Sequence, residues 1–307
     1  MALNNPAFNS PAFQDPKAVQ TYPGGSQAAN LGSQTQFATA QRAGTDAASQ
    51  AHLEGMYAAP PAGSVETGRM TVEDTVWKTL GLFAVLIVGA VAGWVWTMAG
   101  VTPANPNPSI APWAIGALGG FVLSLVVIFT SRKKIRPALI FGYAAFEGLF
   151  VGGISAFFEM MFEGIVLQAT LATLSVVGVT LALFASGKIR ASKRATKIFL
   201  IAMVGYLVFS LVNIGLMLFN APIAGGAFGM LSNQSPLFGI PWGVLIGVFV
   251  VIMAAYSLVL DFDSIQQGVR NGAPRQYGWL GGFGIMVTVV WLYVEILRII
   301  AIARSSS

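Results

Sequence analysis

The sequence predicts an all-α integral membrane protein, a seven-transmembrane-helix bundle behind a disordered N-terminal tail. Of its 307 residues, 55% are hydrophobic and only 9% are charged, whereas a soluble domain typically has about 25% charged residues. Seven apolar runs follow one another from residue 79 onward, and each is close to the ~20 residues that a helix needs to cross a bilayer. The runs are continuous and do not alternate in polarity, which argues against a transmembrane β-barrel.

The first 70 residues differ in composition from the rest of the chain. They are rich in Ala, Gly, Ser, Gln, Asn and Pro, so they contain too little apolar surface to offset the entropy of folding. Two similar motifs, Asn5-Pro-Ala-Phe8 and Ser10-Pro-Ala-Phe13, lie in this tail. Their phenylalanines could bind a protein partner, although low-complexity drift is the alternative. We therefore predict a disordered cytoplasmic tail over 1–70 and a transmembrane domain over 71–304.

The transmembrane domain begins at Thr71-Val-Glu-Asp74, which has the form of a helix capping box. The seven spans are predicted at residues 79–99, 111–130, 138–158, 164–186, 197–219, 240–260 and 279–301. Most tryptophans lie near predicted span ends, as is typical of membrane interfaces. Four glycine pairs have the GxxxG spacing that permits close helix packing: Gly89 and Gly93, Gly116 and Gly120, Gly148 and Gly152, and Gly278 and Gly282.

Basic residues indicate the orientation of the bundle. Fifteen of the seventeen Lys and Arg residues lie in the tail, up to Lys78, or in every second connection between the spans, at 132–136, 188–197 and 270–275. The connections at 100–110, 159–163 and 220–239 hold none. The positive-inside rule then places the N-terminus in the cytoplasm and the C-terminus outside the plasma membrane. Because the basic residues are short flanks of the spans, they do not form a nucleic-acid groove.

Four carboxylates lie in or against the predicted spans. Glu147 is near the middle of the third span, and Glu295 is in the last span, one turn before Arg298. Charge at this depth costs a few kcal/mol, so such residues are expected to be paired, protonated or functional. A neutral, hydrogen-bonded Glu147 and a structural Glu295–Arg298 pair are the alternatives. Asp261 and Asp263 follow the sixth span; two such close carboxylates can share a proton or bind a hard cation such as Ca²⁺, unless they are solvated flank residues.

Enzyme functions have little support in the sequence. The one histidine, His52, lies in the tail, and cysteine is absent, so the spans offer neither a Ser–His dyad nor a His or Cys metal site. An intramembrane aspartyl hydrolase would need two facing acids, and no other feature indicates one. We predict a protein that is not an enzyme and has no cofactor, with Ca²⁺ as a possible permeant or bound ion.

Several segments together resemble the Bax inhibitor-1 family of transmembrane Bax-inhibitor-motif proteins. This family includes the bacterial YccA-like branch, and the resemblance is greatest to its actinobacterial-type members. It covers about residues 70–304. The segments that carry it are Thr71-Val-Glu-Asp-Thr-Val-Trp-Lys-Thr79, Phe146-Glu-Gly-Leu-Phe-Val-Gly-Gly-Ile-Ser155, Leu260-Asp-Phe-Asp-Ser-Ile265 and Trp291-Leu-Tyr-Val-Glu-Ile-Leu-Arg298.

The resemblance implies a bundle with the last helix central, surrounded by the other six, and a pH-sensitive calcium leak channel. In the family, an acid pair on the last two helices binds Ca²⁺ and gates the pore. Asp261 matches the first acid, and Glu295 matches the second through Leu292-Tyr-Val-Glu295. An alignment on Leu297-Arg298 would instead place Thr288 at the second position, which would leave Asp261 to act with Asp263. Arg298 matches the family's latch arginine, with Glu147 or Glu295 as its partner.

The resulting hypothesis is a cation channel with H⁺ coupling. Asp261 and Asp263 would form the cytoplasmic gate, with Glu295 as the facing acid and Glu147 as a midplane way-station or latch. A membrane scaffold that regulates membrane-protein quality control through its tail is the alternative from another class. A proton-coupled transporter is a third possibility, although the sequence has no inverted repeat of the kind common in such proteins.

Overall fold

The computed structural model describes residues 68–219, 228–235 and 239–306, and most of these residues are helical. Within them, seven helices are long and apolar enough to span a membrane. These are α1 (Val72–Met98), α2 (Ala111–Ser131), α3 (Pro137–Met161), α4 (Ile165–Ala185), α5 (Lys193–Leu218), α6 (Trp242–Arg270) and α7 (Tyr277–Ser305). A short 3-10 helix, Gly229–Ser232, precedes α6. Residues 1–67, with the Phe motifs and His52, lie outside the described residues.

The seven predicted spans are confirmed, and six of the seven helices are longer than their predicted spans, whereas α4 is slightly shorter. The first helix begins at Val72, and the Thr71 hydroxyl caps it by accepting a hydrogen bond of 3.2 Å from the Asp74 amide. The sixth helix continues to Arg270. Asp261 and Asp263 therefore lie inside α6, although the predicted sixth span ends at residue 260. The apolar run ends at Leu260, whereas the helix continues for ten more residues, to Arg270.

The last helix is central to the bundle, as predicted. In its most apolar window 56% of the residues are buried, compared with 6% in α5. It packs mainly against α6, α1 and α4, with a smaller contact to α3. The second helix packs chiefly on α3. We call the end of the bundle where α1, α3, α5 and α7 begin the basic end, and the other the opposite end.

Glycines hold α1 and α3 in close contact. A Cβ atom on Gly152 would lie 1.9 Å from the Ala90 carbonyl oxygen, and one on Gly148 would lie 2.3 Å from the Leu86 carbonyl oxygen. Lipid chains are as apolar as the helix surfaces, so close van der Waals packing replaces the hydrophobic effect as a source of attraction between helices. The predicted GxxxG packing is thus confirmed for these two helices.

Gly152→Ala should destabilise the protein because its methyl group would force the α1 and α3 backbones apart. Overpacking of this kind costs about 1–3 kcal/mol, so we expect a clear decrease in the melting temperature of the detergent-solubilised protein. Gly178→Ala on α4 is the matched control, since no heavy atom lies within 4 Å of its added Cβ. Equal melting temperatures for the two variants would contradict this account of the interface.

Candidate functional site

A buried polar contact joins α6 and α7. Asp261 is only 1% exposed, and the Thr288 hydroxyl donates a hydrogen bond of 2.6 Å to its Oδ2 atom. The Ser257 hydroxyl, one turn before Asp261, lies 3.5 Å from the Thr288 hydroxyl. Leu258 and Leu260 on the same helix are also buried. The carboxyl group of Asp261 is thus enclosed in the α6–α7 interface, where the Thr288 hydroxyl binds it.

Glu295 is not beside Asp261. It lies seven residues beyond Thr288 on α7, which corresponds to about 10 Å along the helix axis. Its carboxylate forms an ion pair with Arg298 and accepts a hydrogen bond of 3.2 Å from the Tyr206 hydroxyl. The Asp261–Glu295 pair implied by the family resemblance is therefore absent, and Thr288 is the residue that faces Asp261.

The predicted latch arginine has a defined set of partners on two helices. Besides its ion pair with Glu295, Arg298 donates a hydrogen bond of 2.7 Å to the Tyr206 hydroxyl of α5. Its guanidinium carbon lies 5.8 Å from the centroid of the Tyr206 ring. Of the two partners proposed for Arg298, the structure selects Glu295. This cluster of Tyr206, Glu295 and Arg298, hereafter the latch, links the least buried helix to the central one.

Asp263 does not form a cluster with Asp261. Residues two apart on a helix point about 200° away from each other, and the side chains accordingly differ in environment. Asp263 is partly exposed and accepts a hydrogen bond of 2.8 Å from the Gln267 amide. Among the described residues, no group of three or more Asp, Glu, His or Cys side chains could hold a metal ion. Any cation that meets Asp261 would therefore need further ligands from hydroxyl groups, backbone carbonyls or water.

Glu147 lies apart from Asp261 and Glu295, between α2 and α3. Tyr143, one turn earlier, provides a hydrogen bond to its carboxyl group. A Cβ on Gly120 of α2 would lie 2.9 Å from the Glu147 Oε2 atom, so the absence of a side chain there makes room for the carboxyl. A cleft of about 260 Å³ adjoins it, and exposed Phe121 is part of the cleft wall. Glu147 thus faces the outer side of the bundle and does not contact Arg298.

A charged network at the basic end was not predicted from the sequence. Asp74 of α1 forms ion pairs with Lys78 and with Arg275 of the α6–α7 connection; the Asp74–Arg275 distance is 2.8 Å. Lys78 also donates a hydrogen bond of 2.6 Å to the Arg275 carbonyl oxygen. The Met70 amide donates one of 2.7 Å to the Ala273 carbonyl oxygen. The capping box suggested a helix start, but only the folded chain places its acid against the α6–α7 connection.

Comparisons with known proteins give one match. A protein-family model described as Bax inhibitor 1 like matches residues 5–305, which is nearly the whole chain and includes most of the predicted tail. No curated protein and no solved structure matches the chain.

Breaking the latch ion pair should destabilise the bundle. Removal of one partner from a buried ion pair typically costs about 3–5 kcal/mol, because the other charge is left uncompensated. We therefore expect both Glu295→Gln and Arg298→Gln to lower the melting temperature substantially. The double variant should lose less than the sum of the two, as contacting residues do in double-mutant cycles.

Arg304→Gln is the control for this cycle, since Arg304 is on the same helix and its hydrogen bond to the Glu163 carbonyl oxygen is exposed. We expect it to change the melting temperature little. A strictly additive Glu295 and Arg298 double variant would show that the pair is not coupled.

Proposed function

The chain belongs to the Bax inhibitor 1 like family, and from this premise we propose that it is a multipass membrane channel that leaks cations, chiefly Ca²⁺, under the control of pH. The observation that carries the proposal is the burial of Asp261 between the central helix and its neighbour. Protein interiors in membranes rarely retain an ionisable group unless it serves a path for ions or protons.

The contact between Asp261 and Thr288 supports a gate that is controlled by the charge of the Asp261 carboxyl group. The Thr288 hydroxyl supplies a hydrogen bond but no positive charge, and burial of a charged carboxylate is costly. In the proposed mechanism, neutral Asp261 favours the packed α6–α7 interface, which is the closed state. Ionised Asp261 favours separation of the helices at this point, because water and a cation can then solvate the charge. The leak should therefore increase as pH increases.

The other acids have different places in this proposal. The latch lies about two helical turns further along α7 and fixes the opposite end of the path by holding α5 to the central helix. Glu147 faces the outer cleft of α2 and α3 and lies outside the path. Asp263 is a surface acid at the basic end and is not part of the gate. Carboxylate, hydroxyl and water oxygens suit Ca²⁺, which accepts flexible oxygen coordination.

The proposed orientation places the basic end in the cytoplasm of a cell with this protein in its plasma membrane. The connections at that end contain the basic clusters at 132–136 and 188–197, which the positive-inside rule assigns to the cytoplasmic side. The N-terminal tail would then be cytoplasmic and the C-terminus external. The proposal is transport without catalysis and without an organic cofactor.

Asp261→Asn should remove most of the pH dependence of Ca²⁺ flux. We would reconstitute the full chain in vesicles that contain a Ca²⁺-sensitive dye and compare mildly acidic with mildly alkaline buffers. An intramembrane charge costs a few kcal/mol and each 1.4 kcal/mol is a factor of about ten. The pH-dependent component of flux should therefore fall at least about tenfold, to a low and constant leak.

Asp263→Asn is the matched control, because it makes the same chemical change two residues away on a partly exposed face. It should keep the pH dependence of the unaltered protein. Unchanged flux in Asp261→Asn would disprove the gate. No flux in any protein would favour a scaffold, and proton counterflow in fixed ratio to Ca²⁺, measured with a pH-sensitive dye, would favour a transporter.

A further inference from the structure

A cavity of about 450 Å³ lies between α1, α3, α4 and α7. It extends from the middle of the bundle toward the opposite end. The first and fourth helices both pack against α7 but scarcely approach each other, which leaves the space between them. Leu86, Ser155, Thr173, Val290 and Tyr293 form its buried floor.

The floor offers few free hydrogen-bond partners to a water molecule. The hydroxyl groups of Ser155 and Tyr293 are hydrogen-bonded to each other at 2.6 Å. The Thr173 hydroxyl donates a hydrogen bond of 2.7 Å to the Ala169 carbonyl oxygen of its own helix. None of the described residues that line the cavity is charged. A buried water needs two to four polar partners, and apolar cavities without them stay dry.

The mouth of the cavity faces sideways, into the bilayer. Its rim includes Ile87 and Val91 of α1 and Leu174 of α4, each more than half exposed. These residues lie within transmembrane helices, so the medium outside the rim is hydrocarbon. Trp94 lines the cavity near the end of α1, where indole rings prefer the membrane interface. The cavity therefore connects the hydrocarbon with the side of the central helix.

We propose that this cavity binds one acyl chain of a membrane phospholipid. An empty space of this size would deprive its lining of van der Waals contacts, and the bilayer supplies acyl chains at the mouth. The cavity volume of about 450 Å³ is about fifteen times the ~30 Å³ that one liquid water molecule takes up, which leaves room for an acyl chain. A free fatty acid fits less well, because the described lining has no positive charge to bind its carboxylate.

The bound chain would contact the central helix beside the proposed gate. Val289 and Val290 line the cavity, and they directly follow Thr288, the residue that hydrogen-bonds Asp261. Chain binding itself requires only the cavity and its mouth, so it stands independently of channel activity.

Photoreactive lipids test the proposal directly. The full chain would be placed in nanodiscs of phosphatidylcholine with a diazirine in the distal half of one acyl chain, illuminated, and mapped by peptide mass spectrometry. We expect adducts on the floor residues Ser155, Thr173 and Tyr293, which lipid on the outer surface cannot reach. Thr173→Phe, which fills the cavity, should reduce these adducts to background. Leu171→Phe, on the exposed side of the same helix and outside the lining, should not.

A second pair of variants keeps the test independent of core packing. Val91→Trp narrows the mouth from its exposed rim and should also abolish floor adducts, whereas Val88→Trp, exposed on α1 but outside the lining, should leave them. Adducts confined to outward-facing residues would overturn the proposal, as would floor adducts unchanged by both Thr173→Phe and Val91→Trp. Stronger floor labelling by a photoreactive free fatty acid at equal concentration would overturn the phospholipid as occupant.

Discussion

The structure depends on one constraint, which is that every polar side chain of the central helix must find a partner inside the bundle. Lipid cannot hydrogen-bond such groups, so each unsatisfied one would cost several kcal/mol. On α7 these groups bind successive neighbours. Thr288 bonds Asp261 of α6, Tyr293 bonds Ser155 of α3, and Glu295 bonds Tyr206 of α5. At the start of α7, the Trp279 ring lies 5.5 Å from the Lys78 ammonium of α1. Each contact fixes the rotation of α7 against a different helix.

The fold could be predicted because a membrane span is defined by the apolar composition of its residues, which can be read directly from the sequence. The pairing of polar residues depends on helix rotation and register, which composition does not contain. Asp261 illustrates the difference. In an antiparallel hairpin, facing residues lie at about equal distances from the turn, and the turn here follows Arg270. The predicted span ended at residue 260, so the register of α6 against α7 was unknown. With the turn in place, Asp261 faces Thr288, while Glu295 lies about two turns away.

The fifth helix shows why polar contacts matter where burial is small. It has the lowest buried fraction of the seven spans, so packing alone holds it weakly. Tyr206 anchors its middle to the latch, and Asn213 anchors its end by accepting a hydrogen bond of 2.8 Å from the Met230 amide. A tyrosine and an asparagine in a long apolar run are visible in the sequence. Their partners, however, come from distant segments, so the family resemblance could suggest Arg298 as a latch residue, whereas nothing in the sequence indicated Tyr206 as its partner.

The proposed gate and the proposed lipid site are connected through α7. A ligand shifts a conformational equilibrium only when it binds the two states with different affinity. A helix moves as a nearly rigid unit, so a motion of α7 that separates Thr288 from Asp261 also displaces Val290 and Tyr293, which form part of the cavity floor. The shape offered to an acyl chain therefore differs between the packed and separated states. Protonation of Asp261 and occupancy of the cavity would act on the same helix, and by reciprocity each would alter the response to the other.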